Sequence, residues 1–160
     1  AVMRSESESR ALSLELRGMD GQESYLSGTT RIRFREKDPA GWQEFRSLFM
    51  SHSPEGSANT LKGFQARRPS LYSREVEFAR MEVPTLIIVG DEDDPCLEPS
   101  LFLKRVIPRS GLLVLPQTGH ACNLEEPSHF NYGIAEFLAQ VEAGRWANRP
   151  IGSGDAWSTR

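Results

Sequence analysis

Two apolar runs of strand length stand out from a chain that is otherwise polar and patterned for helices. Thr85-Leu86-Ile87-Ile88-Val89 and Leu112-Leu113-Val114-Leu115 are apolar on both faces, as strands covered by helices on each side must be. Between them, Glu98 to Ile107 has helix length and carries Leu101, Phe102, Arg105 and Val106 on one stripe, with Pro108 as its stop. The three pieces predict a β-α-β unit with parallel strands. Downstream, Pro127 opens a helix whose Phe130, Ile134, Phe137, Leu138 and Val141 recur at i, i+4, i+7, i+8 and i+11. It is expected to end near Gly144.

The first 72 residues read differently. Residues 1–18 are helix-like but polar, with an imperfect stripe of Ala11, Leu12, Leu14 and Leu16. Residues 19–30 are turn-rich. Arg31-Ile32-Arg33-Phe34-Arg35 alternates as an exposed strand does, its basic face in solvent. Asp38-Pro39 and Ser53-Pro54 each pair an N-cap residue with proline at the first helical position. The first of these helices carries Trp42, Phe45, Leu48 and Phe49 on one face. The second carries Ala58, Leu61 and Phe64 and ends at Arg67-Arg68-Pro69. A short helix from Ser73 to Met81 leads into the first strand. This region has helices without a strand core of its own.

Two all-apolar parallel strands need neighbours for their backbone groups and helices on both faces. The expected sheet is therefore incomplete, and the sequence reads as the C-terminal part of a larger α/β domain. Ala1-Val2 before Met3 fits a chain that was processed or cut from something longer. Residues after Arg145, rich in Gly, Pro and Ser, are expected to form a loose tail.

Composition narrows the function classes. With 160 residues, 38% hydrophobic and 26% charged, the chain is expected to be a soluble globular domain. A net charge of −3 gives no footprint for nucleic acid or an anionic membrane. No apolar run approaches the roughly 20 residues that span a bilayer, and no signal peptide is visible. Cys96 and Cys122 read as free thiols in a reducing compartment, so a cytoplasmic location is expected. A disulfide and a reactive pair are the alternatives. The two lack the CxxC spacing of a redox pair and match no metal motif, so no metal and no cofactor is expected.

Candidate chemistry sits past the carboxyl ends of the two strands, the edge where open α/β sheets bind ligands. Asp91-Glu92-Asp93-Asp94 follows the first strand and Gly119-His120 the second. Adjacent parallel strands lie about 4.8 Å apart, so Asp93 and His120 can meet. A carboxylate that accepts from one imidazole nitrogen leaves the other free as a base. The competing readings are a solvated acidic turn and a turn histidine. A calcium loop is disfavoured, because consecutive acids lack its alternating spacing.

The segment Pro116-Gln117-Thr118-Gly119-His120-Ala121-Cys122-Asn123-Leu124-Glu125-Glu126-Pro127-Ser128-His129-Phe130-Asn131, closing with Phe137-Leu138, resembles the C-terminal signature of the α/β-hydrolase superfamily. That signature is Gly-His, Glu five residues on, Pro two further, then Phe-Asn and a terminal Phe-Leu. Val83 to Asp93 resembles the family's penultimate core strand, with the acid three residues after Gly90. The resemblance implies a helical lid over residues 1–75, the C-terminal part of the hydrolase core over 76–145, and a flexible tail over 146–160. It implies His120 as general base and Asp93 as the acid that orients it, with Asp94 in reserve. Glu125 is expected to play a structural part beside the helix start.

The family's nucleophile sits in Gly-x-Ser-x-Gly on a strand-to-helix turn, and this sequence has no such motif. Glu55-Gly56-Ser57-Ala58-Asn59 lacks both flanking positions, and Gly152-Ser153-Gly154 has no strand before it. The expected role is therefore the acid and His of a nucleophile-His-acid triad, acting on a carboxylic ester or related acyl bond. The expected partners are a small-molecule substrate with an apolar portion, suggested by Trp42, Phe45 and Phe49, and either the missing hydrolase half or a second copy at the sheet edge. The alternative is a non-catalytic fragment or docking module.

Overall fold

The computed structural model of the chain describes residues 2–149. Helices α1 (Val2–Arg17), α2 (Glu23–Leu26), α3 (Ile32–Lys37), α4 (Pro39–Met50), α5 (Pro54–Thr60) and α6 (Glu75–Ala79) come first. Strand β1 (Thr85–Gly90), helix α7 (Asp94–Val106), strand β2 (Ser110–Leu115) and helices α8 (Cys122–Glu125) and α9 (Pro127–Glu142) follow. Among the described residues the sheet has two strands. They pair in parallel from Thr85 opposite Ser110 to Gly90 opposite Leu115.

The predicted β-α-β-α order is observed, with the short helix α8 in the stretch expected to be a loop before α9, and α7 is the crossover. It starts at Asp94 rather than Glu98, with Pro95 in the first turn, where a missing N–H costs little, and Pro99 inside the helix, where the bond to the carbonyl four residues back is lost. Both caps read from sequence form. Asp38 accepts from Gly41 N at 2.9 Å, and Ser53 Oγ accepts from Gly56 N at 3.1 Å. Asp38→Ala is expected to cost about 1 kcal/mol, read as a lower urea midpoint; an unchanged midpoint would show that the cap contributes nothing.

Residues 31–35 correct the strand expectation: they belong to a short 3-10 turn (Thr29–Arg31) and α3. Alternation over five residues does not exclude a helix. Arg31 and Phe34, three apart, share the buried side. A lone strand there would leave its backbone groups unpaired, whereas a helix pairs its own. The turn-rich stretch 19–30 is likewise largely helical, with a 3-10 segment Gly18–Gln22 before α2. The expected α4 stripe loses Leu48, which is 61% exposed.

Two hydrophobic clusters hold the N-terminal region. Ala11, Leu14, Met19, Ala58 and Leu61 join α1 to α5 and its π-helical extension Leu61–Gln65. Leu26, Phe34 and Trp42 form the second, with Phe45 and Phe49 packed on it, and it reaches Ala121 beside the end of β2. The sheet contrasts with this. Only Val89, Gly90 and Leu115 of its strands are buried, and no residue of α9 is. Leu138, expected on the buried stripe, is half exposed. Apolar surface left in water forfeits about 25 cal/mol per Å². The strands and α9 thus present apolar faces that the described residues leave partly uncovered.

Within the segment expected to be a loose tail, Trp146 stacks edge-on against Phe137 and donates from Nε1 to Arg109 O at 2.9 Å. Residues 150–160 lie outside the described residues, and Gly152-Ser153-Gly154 with them. Among the described residues no helix is long and apolar enough to cross a membrane.

Candidate active site

Gly90 ends β1 where the backbone after β2 closes in: a Cβ there would lie 2.1 Å from Thr118 O and 2.4 Å from Gly119 O. Only glycine allows that approach. The acidic turn and the His turn are then stitched together. Glu92 N donates to Thr118 O at 2.9 Å, and Thr118 N donates to Asp91 Oδ1 at 3.1 Å. This brings Asp93 to His120, with Asp93 Oδ2 2.8 Å from His120 Nδ1. The Asp93 side chain is 6% exposed and the His120 side chain 46%. An ionised carboxylate only accepts. Nδ1 therefore carries the proton in this contact, and Nε2 keeps its lone pair. The reserve acid, Asp94, is exposed in the first turn of α7 and is not brought to His120.

The turn that carries His120 is gripped from two sides. Buried Glu125 accepts from Gly119 N at 2.6 Å and from Ala121 N at 3.0 Å, the two residues flanking His120. His120 N donates to Thr30 O at 2.7 Å. A Cβ on Gly119 would lie 2.2 Å from that same oxygen, so glycine is again required. Glu125 was legible as structural from its place at a helix start. The Thr30 contact, spanning distant segments, had no local signal.

Ion pairs tie α3 to both turns. Arg33 grips Glu92 with two bonds of 2.7 and 2.8 Å, and Lys37 pairs with Glu126. The Arg33 bond holds Glu92 below the usual carboxylate range, and the Lys37 bond does the same for Glu126. Asp91 is lowered chiefly by the Thr118 backbone N–H. A carboxyl with a depressed folded pKa contributes stability above its unfolded pKa, near 4, and loses it as pH falls through the folded value. These groups face solvent, so each contribution is small. The urea midpoint is expected to stay flat from pH 7 to 5 and to fall below about pH 4; a flat profile down to pH 3 would contradict these assignments.

His120 and Cys96 form part of one wall of a cleft of about 1400 Å³ beneath the N-terminal helices. Arg10, Tyr25, Phe49 and Ser57 also line it. The Arg10 guanidinium lies 3.5 Å from the Tyr25 ring centre and bonds Gln22 Oε1. Of the aromatics expected to meet substrate, Phe49 reaches the cleft, while Trp42 is buried against Phe34 with Phe45 beside it. Ser57 sits inside α5, not on a strand-to-helix turn. Cys96 Sγ lies 3.9 Å from His120 Nδ1, a neighbour not foreseen from sequence. Burial pushes its thiol up to about 12, helped by the Asp93 carboxylate.

No protein-family model matches the chain. A Bacillus subtilis protein that carries the provisional name 2-succinyl-6-hydroxy-2,4-cyclohexadiene-1-carboxylate synthase is 31% identical over 97 residues, 60% of this chain and 34% of that protein. The structure of MenH from S. aureus superposes with a TM-score of 0.80 at 23% identity, covering 88% of this chain and 52% of that one. A thermophilic esterase from Thermogutta terrifontis gives 0.71 at 24% identity, covering 87% and 50%. The two superpositions show a shared fold. The chain spans between a third and about half the length of these relatives.

Proposed function

We infer that this chain, a relative of the α/β-hydrolase superfamily with the fold of that superfamily's C-terminal part, supplies the acid and the base of a hydrolytic nucleophile-His-acid triad. The observation that carries the reading is the 2.8 Å contact between buried Asp93 and half-exposed His120 at the mouth of a cleft. His120 Nε2 takes the proton of a nucleophile that lies outside these 160 residues, as that nucleophile attacks an acyl carbon. The same nitrogen then returns the proton to the leaving group. Asp93 holds the tautomer and stabilises the imidazolium as it forms.

Residues 1–75 act as the lid and 76–145 as the C-terminal core in this reading. The partly uncovered sheet and α9 are the faces that the nucleophile-bearing half packs against. An ester or a related acyl compound is the substrate class, in keeping with the esterase among the structural relatives. Phe49 offers contact for an apolar portion and Arg10 for a polar one.

The test uses a short activated ester. The purified chain alone is expected to show no turnover above its His120→Ala variant. Joined to the part of the Thermogutta terrifontis esterase that this chain does not cover, it is expected to gain turnover that depends on His120. Turnover by the chain alone, lost on His120→Ala, would place a nucleophile inside these residues and overturn the half-site reading. Turnover of the joined protein that ignores His120→Ala would overturn His120 as the base.

A further inference from the structure

The proposed hydrolytic step leaves one donor beside the Asp93–His120 pair unused. Cys96 follows Asp93 at i+3, and its N–H donates to Asp93 O at 2.8 Å, so the two side chains share one side of the first turn of α7. One donor atom each from Asp93, Cys96 and His120 lies within 4.8 Å of the others. Asp93 Oδ1 is buried and has no hydrogen-bond partner among the described residues. A carboxylate oxygen in that state is costly until a donor or cation meets it. Cys96 and His120 line the cleft, which gives an ion its way in.

The geometry points to a zinc-class divalent cation site formed by the Asp93 carboxylate, Cys96 Sγ and His120 Nδ1, whose occupation switches the His120 base off. The switch rests on the reading of His120 as the base; the cation site does not. Bond lengths of about 2.0 Å to nitrogen or oxygen and 2.3 Å to sulfur put the ligand atoms of a tetrahedral one-sulfur site roughly 3.3–3.5 Å apart. The Cys96–His120 separation of 3.9 Å closes by about 0.4 Å to fit, and the Asp93–His120 contact opens by about half an ångström. A mixed sulfur, nitrogen and oxygen set suits zinc or cobalt and not calcium or magnesium, which take oxygen ligands. Three protein ligands leave a fourth position open toward the cleft.

The proton balance explains the switch. Cys96 gives up its thiol proton to solvent when its sulfur binds the ion. His120 stays neutral, but its proton moves from Nδ1, now a ligand, to Nε2. A protonated Nε2 is a donor and cannot accept a proton from a nucleophile.

The test titrates the chelator-treated chain with Co²⁺ and displaces it with Zn²⁺. One Co²⁺ per chain with a thiolate-to-cobalt band in the near ultraviolet is expected. Cys96→Ser is expected to lose the band and to weaken binding by more than the roughly 10–100-fold that losing an outer partner costs. Cys122→Ser is expected to keep both. No band, or one lost with Cys122→Ser and retained in Cys96→Ser, overturns the site. His120→Ala, at a half-exposed position, tests it independently: unchanged Co²⁺ affinity also overturns it. Nitrogen-15 spectra of the imidazole separate the two readings. In the metal-free chain the proton is expected on Nδ1, and with Zn²⁺ on Nε2. A metal-free proton on Nε2 counts against the acid–base pair and leaves the cation site standing. Zn²⁺ bound with the proton still on Nδ1 overturns the switch.

Discussion

His120→Ala in the joined enzyme is expected to lower kcat by about 10⁴- to 10⁶-fold, the scale on which losing one member of a working triad costs rate. In the proposed mechanism Nε2 takes the nucleophile's proton, and among the described residues the other histidine lining the cleft, His52, packs against Phe49. Asp93→Asn is expected to cost about 10⁴-fold. An amide in place of the carboxylate favours the tautomer with Nδ1 bare, which puts the proton on Nε2. Asp94→Asn is the internal control. That side chain is exposed and away from the imidazole, so its loss is expected to change kcat by less than about twofold. Comparable losses at Asp93 and Asp94 would show that the 2.8 Å contact does not orient the working base.

Glu125→Ala is expected to be the most destabilising single change near the site. It strips the acceptor from two main-chain donors, Gly119 N and Ala121 N, in and beside the buried turn. The unsatisfied buried donor costs about 1–3 kcal/mol and the half-buried Ala121 N–H less, so the pair amounts to roughly 3 kcal/mol. For a chain of this size that lowers Tm by about 10 °C. Glu125→Gln keeps one acceptor and is expected to recover about half of the loss. The same change also frees the turn that aims His120. In the joined enzyme, assayed well below its Tm, kcat is expected to fall with KM nearly unchanged, since substrate binding does not involve Glu125. A Tm within about 1 °C of the parent protein would remove Glu125 from this role.

The juxtaposition of Asp93 and His120 was legible because two apolar runs joined by a helix-length segment leave few arrangements. A helical crossover between neighbouring strands makes them parallel, and parallel strands deliver their carboxyl ends to one edge. The caps at Asp38 and Ser53 were legible for a local reason: an acceptor side chain followed by proline answers the orphan N–H groups of a first turn. Arg31 to Arg35 was misread for a local reason too. Five residues fit a period of two as well as a helical turn, and the choice was made by Phe34 packing against Trp42, eight residues away in sequence, and Leu26.

Sequence by itself determined the strand-helix-strand order from Thr85 to Leu115, the resemblance to the hydrolase core, and that an acid of the 91–94 run meets His120 at its edge. Those follow from hydrophobic period, proline and glycine, which act within a few residues of chain. The tertiary structure alone decided which of two neighbouring acids faces the imidazole, that Cys96 stands beside it, and that Thr30 and Glu125 hold its turn. Each of these depends on backbone hydrogen bonds and close approaches across turns, from Gly90 to Thr118 and from Gly119 to Thr30. Such contacts are set by how folded segments pack in three dimensions, and no spacing along the chain encodes them.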